Sequence, residues 1–124
     1  MHPSLPPRPD PARNTTAASL RASTLVIVRL RPPADATADE IRSVAERARD
    51  LFAKMPGLRR KYFSYSSERH EVVNVYEWND GAAAALVRDP KFLARIRTAY
   101  RSEPDVTFAE VLAIADSTRS HESP

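Results

Sequence analysis

The order of strand-like and helix-like segments constrains the fold of this chain more than any other feature. A β-branched run at residues 24–31 predicts a strand that ends at Pro32-Pro33. Thr37 and Glu40 then have the spacing of a capping box, which predicts a helix start. The apolar residues of that helix recur at spacings of three and four: Ile41, Val44, Ala45, Ala48, Leu51, Phe52 and Met55. Pro56-Gly57 ends it, so the first part of the domain is a β-α unit.

The second part of the domain predicts a hairpin, a pair of short helices and a last strand. Apolar runs at 58–65 and 70–78 flank a polar turn. Helix-forming residues follow, and Asp89-Pro90 restarts the helix with proline in its first turn. Residues 106–115 predict the final strand. This β-α-β-β-α-β order predicts an α+β fold of the ferredoxin-like kind, a four-stranded antiparallel sheet with helices on one face.

The predicted last strand is apolar on both of its faces. One face would carry Val106, Phe108, Leu112 and Ile114, and the other Ala109, Val111, Ala113 and Ala115. A strand of this kind is usually buried on both sides. Because two helices cover only one side of such a sheet, a second copy of the chain is the simplest cover for the other. The pattern therefore predicts a homodimer that packs through its sheet faces.

Composition separates one domain from two tails. Five of the 11 prolines fall at positions 3, 6, 7, 9 and 11, ahead of a small polar run. Such a segment cannot bury enough apolar surface to offset its ordering entropy, so residues 1–22 are predicted to be a disordered tail. Residues 117–124 are interpreted in the same way. The 42% of apolar residues in the 124-residue chain suffices for one core, which we assign to residues 23–116.

Several classes of function are excluded by what the chain lacks. Without cysteine it has no disulfides, no thiol catalysis and no cysteine-ligated metal. Its only glycines are Gly57 and Gly81, too few for a phosphate-binding or dinucleotide-binding loop. His70 has no partner at ligand spacing, so no metal is expected. The net charge of +3 lies mainly in the tail rather than on the domain, which disfavours nucleic acid. The chain also lacks a membrane-spanning run and a signal core, so a cytoplasmic protein is expected.

Three segments resemble one known family. They are Pro-Gly-Leu-Arg-Arg-Lys-Tyr-Phe at 56–63, Val-Tyr-Glu-Trp at 75–78 and Tyr-Arg-Ser-Glu-Pro-Asp-Val-Thr-Phe at 100–108. These segments are similar to the antibiotic-biosynthesis-type monooxygenases of the dimeric α+β barrel superfamily, and the resemblance covers roughly residues 24–116. It implies a dimeric α+β barrel. It also implies cofactor-independent oxidation of an electron-rich polycyclic phenol, or a similar small aromatic or polyketide-like ligand, by O₂.

The resemblance also implies a site on the third strand. Relatives use an Asn and a Trp four residues apart, and this chain has Asn74 and Trp78 at that spacing. Residues two and four apart on a strand share a face, so the Tyr76 hydroxyl joins them as a candidate hydrogen-bond donor. Asn74 would donate to a developing oxyanion, and Trp78 would stack on a planar substrate. The structural alternatives are a core Trp78 and an Asn74 amide that hydrogen-bonds across the sheet.

The neighbouring strand contributes the predicted substrate-binding residues Lys61, Tyr62 and Phe63. The hairpin register decides whether Lys61 or Tyr62 shares the face of Asn74, and the sequence leaves both alternatives open. Glu110 is a further candidate, either as a base or as an ion-pair partner of an arginine. The haem-degrading members of the superfamily carry a histidine on the following helix, where this chain has apolar residues, so a haem role is not expected.

Three functions remain open at this stage. The first is a cofactor-independent monooxygenase that uses Asn74, Trp78 and Tyr76. The second is a non-redox isomerase or cyclase of lactone or polyketide substrates, because enolate stabilisation serves that chemistry equally well. The third is a non-catalytic dimeric ligand-binding domain, favoured by the alanine run at 82–85 and the scarcity of polar groups. Oxygen consumption separates the first function from the other two.

Overall fold

The computed structural model describes residues 23–79 and 81–117, where four strands and three α-helices alternate. In chain order they are β1 (Thr24–Leu30), α1 (Ala38–Ala53), β2 (Leu58–Ser66), β3 (Glu71–Trp78), α2 (Gly81–Ala84), α3 (Pro90–Tyr100) and β4 (Asp105–Glu110). A short 3₁₀ helix, Ala85–Arg88, links α2 to α3, so the helical run expected there is two short pieces. The predicted tails, 1–22 and nearly all of 117–124, lie outside the described residues.

The four strands form one antiparallel sheet in the order β2-β3-β1-β4. Val28 in β1 pairs with Asn74 on one side and with Val106 on the other, which fixes one common face across three strands. The side chains of this face make the core together with residues of the helices, and the core includes Val26, Val28, Leu30, Ile41, Phe52, Val72, Tyr76, Trp78 and Ile96. The predicted ferredoxin-like α+β fold, with helices on one face of the sheet, is confirmed.

The predicted helix starts are also confirmed. The Thr37 hydroxyl accepts from the Glu40 backbone N–H at 3.1 Å, and the Glu40 carboxylate accepts from the Thr37 N–H at 2.8 Å. These two hydrogen bonds hold the pKa of Glu40 below its usual value. Asp89 caps α3 by accepting from the Lys91 N–H at 2.9 Å, with Pro90 as the first helical residue. Both helices therefore begin where local sequence favours it.

The last strand is shorter than predicted. β4 ends at Glu110, because that residue pairs with Thr24, the first residue of β1, and the ladder between the two strands stops there. Val111 is still buried, and its backbone N–H donates to the Ser23 carbonyl at 3.2 Å. Leu112 is 84% exposed. The prediction of a strand to residue 115, apolar on both faces, is wrong, and Glu110 is an exposed strand end rather than a mid-strand carboxylate.

The second face of the sheet carries none of the described helices. Its central apolar side chains, which are only half-buried, are Leu25, Ile27, Val73 and Val75. Towards the β2 edge the face becomes polar, with Arg60 and Tyr62 exposed. Within residues 23–79 and 81–117, no helix combines the length and the apolar character that crossing a membrane requires.

Candidate functional site

The three candidate residues of β3 all face the helices. Asn74 is 1% exposed, and Tyr76 and Trp78 are completely buried. Alternation along the strand places them on one face together with Val72, while Val73, Val75 and Glu77 point to the other. A buried amide and two buried aromatic residues with polar atoms need hydrogen-bond partners, so this face has an unusual polar content for a core.

The hairpin register places Lys61 and Phe63 on that same face. Lys61 pairs with Tyr76, and Phe63 lies directly opposite Asn74. Tyr62 pairs with Val75 on the other side of the sheet, where it is 53% exposed and its hydroxyl accepts from Arg60 Nη1 at 3.3 Å. The choice between Lys61 and Tyr62 that the sequence left open is thus settled for Lys61, and the assignment of Tyr62 to the pocket is wrong for this chain alone.

A cavity of about 380 Å³ separates this face from the helices α1 and α3. Its lining is mainly apolar and aromatic, with a few polar side chains; among the residues that form it are Val44, Ala48, Phe52, Met55, Lys61, Phe63, Asn74, Tyr76, Leu86, Phe92, Ile96 and Tyr100. This size and composition are typical of pockets that hold a small organic molecule. Leu86 lies in this lining, so the wall is apolar at that point.

Trp78 supports the cavity from behind rather than lining it. Its ring stacks on that of Tyr76, with the two centroids 6.1 Å apart and the planes at 3°. A stacked pair of this kind fixes the orientation of the ring that faces the cavity. Direct stacking of Trp78 on a substrate would require Tyr76 to move, so we interpret Trp78 as a positioning residue for Tyr76.

Lys61 is the least exposed of the charged side chains that line the cavity. Its Nζ lies 3.5 Å from the ring centroid of Phe52, 4.1 Å from that of Phe63 and 4.3 Å from that of Tyr76. Of the ion pairs in the described part of the chain, none involves Lys61. Burial lowers its pKa to about 7, while the three ring faces act in the opposite direction by attracting the ammonium form. An amine in this position can accept a proton at neutral pH.

The polar atoms around the cavity are incompletely paired. Asn74 Nδ2 donates to the Tyr100 hydroxyl over a long 3.4 Å. Asn74 Oδ1, the Tyr76 hydroxyl and Trp78 Nε1 are buried without a hydrogen-bond partner among the described residues. Burial raises the pKa of Tyr76 and that of Tyr100, so both hydroxyls stay protonated and are able to donate. Unpaired buried groups cost stability, and their concentration beside one cavity indicates a site shaped for a polar ligand.

Sequence reasoning missed three residues of this site. Phe52, Phe92 and Tyr100 lie on the apolar faces of their helices, as their spacing along the sequence predicts, but spacing alone does not indicate that they line a cavity. Phe52 makes edge contacts with both Tyr76 and Phe92, at centroid distances of 5.7 and 6.0 Å. The apolar stripe of α3 carries a single hydroxyl group, that of Tyr100. This hydroxyl was the one feature of the sequence that could have indicated a role for Tyr100 in the site.

His70 has a structural role at the hairpin turn. Its Nδ1 lies 2.7 Å from the Tyr65 hydroxyl, and its Nε2 lies 2.8 Å from the Pro33 carbonyl oxygen. These contacts connect the hairpin to the loop that follows β1, so His70 is engaged on both ring nitrogens. Across the described ranges, no group of three or more His, Cys, Asp or Glu side chains is arranged to hold a metal ion.

The fold is shared with several solved structures. SnoaB, described as a cofactor-independent oxygenase from Streptomyces nogalater, is 23% identical, with a TM-score of 0.57 over 77% of this chain and 96% of SnoaB. The ActVA-Orf6 monooxygenase of Streptomyces coelicolor, solved with nanaomycin D, is 18% identical, with a TM-score of 0.57 over 77% and 93%. NE2512, a protein of unknown function from Nitrosomonas europaea, is 16% identical, with a TM-score of 0.62 over 78% and 96%.

No protein-family profile and no curated protein sequence matches the chain. The structural likeness extends over nearly the whole length of each neighbour, but at identities below 25% it carries information about the fold rather than about activity. The chain therefore has the ferredoxin-like α+β fold of the antibiotic-biosynthesis-type monooxygenases, as its three short motifs indicated.

Proposed function

We propose that this protein is a cofactor-independent monooxygenase that oxidises a small electron-rich phenol, of the polycyclic kind, with O₂. The observation that carries this proposal is the Lys61 amine, which lies on three aromatic ring faces beside Asn74 in an apolar cavity. A flat phenol would find there a proton acceptor, hydrogen-bond donors and aromatic walls. The names of two structural neighbours, an oxygenase and a monooxygenase, support the same conclusion.

The chemistry begins with the substrate proton. Neutral Lys61 accepts the phenolic proton, or the Lys61 ammonium receives the substrate as phenolate, and both routes give the same ion pair. The Asn74 amide and the Tyr76 and Tyr100 hydroxyls then donate to the anion, and the largely apolar lining of the cavity strengthens these hydrogen bonds. The electron-rich anion reduces O₂ and forms a C–O bond at a ring carbon that carries hydrogen, and the resulting peroxide takes the proton held by Lys61. Loss of the C–H proton from that carbon then forms the carbonyl as the O–O bond breaks, and the departing hydroxide takes this proton and leaves as water.

The uncovered face of the sheet supports a second part of this proposal, a homodimer. Leu25, Ile27, Val73 and Val75 form a central apolar patch that no described helix covers. An apolar patch that is exposed to solvent favours association with a complementary surface. The same patch on a second copy of the chain can provide that surface, because a two-fold axis brings two identical patches together. Sheet-to-sheet packing would complete the dimeric barrel and leave both cavities on its outer, helical side.

Light scattering tests the dimer. Wild-type protein is expected to have twice the mass of the chain, and Val75→Asp is expected to be monomeric because it places a carboxylate in the apolar patch. Ala94→Asp, which adds the same single negative charge at an exposed position of α3, is the matched control and should stay dimeric. A monomeric wild-type protein would contradict this part of the proposal.

Oxygen uptake tests the activity. Chelator-treated protein is mixed with anthrone or a hydroxyanthrone, and background autoxidation is subtracted. Asn74→Ala and Lys61→Met are each expected to lower uptake about tenfold or more, equivalent to about 1.4 kcal/mol of transition-state stabilisation. Tyr62→Phe, on the far side of the same strand, is the control and should retain the wild-type rate.

The same samples distinguish the alternative functions. No uptake with several such phenols would contradict the oxygenase proposal. Exchange of a substrate C–H for deuterium without oxygen consumption would then favour the isomerase or cyclase, since enolate formation is the shared step. Binding that Asn74→Ala weakens, without any turnover or exchange, would favour the ligand-binding domain.

A further inference from the structure

We propose that Lys61 is also a carbonyl-reactive amine, so that the cavity captures small aromatic aldehydes and ketones as covalent imines. This inference goes beyond the oxygenase proposal and does not depend on it, because the reaction requires neither O₂ nor an ionisable phenol. It assigns to the cavity a second class of ligand, carbonyl compounds with a flat aromatic body.

The first support is the position of the amine. Lys61 Nζ lies on the ring faces of Phe52, Phe63 and Tyr76 within the cavity, at 3.5–4.3 Å from their centroids. A flat aryl group that enters this cavity is surrounded by aromatic side chains, and its carbonyl carbon can come within reach of Nζ. The cavity volume of about 380 Å³ leaves room for a bicyclic aldehyde.

The second support is the absence of a neutralising partner. Among the residues that the structure describes, Lys61 forms no ion pair, so no carboxylate holds it as ammonium. The titratable side chains that share its cavity are Tyr76, Tyr100, Asp89, Lys91 and Arg95. The last three are exposed, and the Asp89 carboxylate accepts from the Lys91 backbone N–H. Desolvated lysines of this kind are the ones that serve proteins as Schiff-base formers.

The chain carries its own reference amines. Its three lysines are Lys54, Lys61 and Lys91, and only Lys61 is shielded from solvent. Burial lowers the pKa of Lys61 to about 7, so a substantial fraction is neutral at neutral pH, whereas an ordinary lysine is roughly one part in a thousand neutral or less. Since only the neutral amine attacks a carbonyl, Lys61 should react first even though a less basic amine is a weaker nucleophile.

The proposed reaction is a condensation that needs no other reagent. The Nζ lone pair forms the C–N bond while the carbonyl π electrons move to oxygen, and a proton passes from nitrogen to that oxygen to give a carbinolamine. The hydroxyl group then leaves as water as the C=N bond forms. The water takes its second proton from the nitrogen, so no further acid is consumed. The Tyr76 hydroxyl lines the same cavity, has no partner in the described chain and remains protonated, so it can donate a hydrogen bond to the leaving oxygen.

Reductive trapping tests the inference. Folded full-length protein is incubated near pH 7 with limiting 2-naphthaldehyde and cyanoborohydride, which converts an imine into a stable secondary amine. Peptide mass mapping then compares the three lysines. We expect labelling of Lys61 to exceed that of Lys54 and Lys91 by about tenfold or more, since desolvation increases the neutral fraction of Lys61 by far more than it lowers the nucleophilicity of the amine. Equal labelling of the three would overturn the proposal.

Two variants complete the test. Lys61→Arg keeps a cation in the cavity but cannot form an imine, and it should lose the dominant adduct; retention of that adduct would overturn the proposal. Lys54→Arg is the matched control and should leave labelling of Lys61 unchanged. Circular dichroism establishes that each variant is folded. Since oxygen uptake is measured separately, failure of imine trapping leaves the oxygenase proposal intact, and failure of uptake leaves the imine proposal intact.

Discussion

The two faces of the sheet, built from alternating residues of the same strands, differ in how they treat polar groups. On the helix-facing side, Asn74 and Tyr76 are buried with unpaired polar atoms around a cavity. On the other side, Glu77 is ion-paired with Arg60 at 3.1 Å and with Arg59 at 3.6 Å, although its own side chain is only 12% exposed. One face satisfies its charges, and the other leaves groups available for a ligand.

This difference indicates a division of labour. A face whose polar groups already have partners gains little from a small polar ligand, and its apolar centre suits association with another sheet. A face that keeps unpaired donors and an amine without an ion-pair partner around a largely apolar cavity sacrifices stability for binding and chemistry. Four tests, which use five substitutions, break or sharpen this comparison, and they follow in order of their expected effect on the free energy of unfolding.

The largest difference between the faces should come from aromatic truncation. Trp78→Ala removes a fully buried ring stacked on Tyr76 and should cost about 3–5 kcal/mol. Tyr62→Ala, on a 53% exposed residue of the other face, should cost less than about 1 kcal/mol in dilute protein. Urea unfolding measures both. A Tyr62→Ala loss that grows with protein concentration would instead place Tyr62 in the contact between copies.

The pH dependence of stability isolates Lys61. Between about pH 7 and its ordinary pKa near 10.5, the unfolded chain binds the lysine proton and the folded chain does not, so stability should rise with pH. Wild type should therefore gain on the order of 1–2 kcal/mol relative to Lys61→Met between pH 7 and pH 9. Urea unfolding at both pH values gives this difference. A constant gap between the two proteins would mean that Lys61 is charged throughout.

Asn74 separates stability from function. Asn74→Val removes a buried amide whose Oδ1 is unpaired and whose one hydrogen bond is long, so the free energy of unfolding should change by less than about 1 kcal/mol in either direction. Oxygen uptake should nevertheless fall about tenfold, as for Asn74→Ala. A loss of several kcal/mol in the free energy of unfolding would identify Asn74 as a structural residue. The proposed role of its amide as a catalytic hydrogen-bond donor would then be contradicted.

The smallest effect is expected for the ion pairs of the other face. Arg60→Ala removes a 55% exposed partner of Glu77 while Arg59 remains nearby, so it should cost about 0–1 kcal/mol and even less in high salt. Thermal unfolding at low and high salt measures this. A larger loss of stability that does not depend on salt would mean that Glu77 and its arginine partners are buried in the proposed dimer.

Local sequence patterns were sufficient to predict the helices, the strands and their order. The Thr37 and Glu40 capping box and the Asp89-Pro90 helix start act within one turn, and both occur where they were predicted. Alternation along β3 also placed Asn74, Tyr76 and Trp78 on one face, because the side-chain period of a strand is two whatever it pairs with. The β-α-β-β-α-β order followed from these local patterns.

Local sequence patterns did not determine how the strands pair. The end of β4 depends on where its partner β1 begins. The sequence shows only that the apolar run continues to residue 115, so it predicts a strand that is too long. The side on which Tyr62 lies depends on the hairpin register, which a one-residue slip reverses. Both outcomes are set by partners distant in sequence.

The sequence by itself determined the elements, their order and the face of β3 that carries the candidate site. Only the tertiary structure decided that Lys61 reaches that face and that Phe52 and Tyr100, from two different helices, close around it. The physical reason is that periodicity reports which side of an element is apolar, whereas a cavity exists only where the packing of several elements leaves space. The same packing desolvates the Lys61 amine, which both proposals use in different ways.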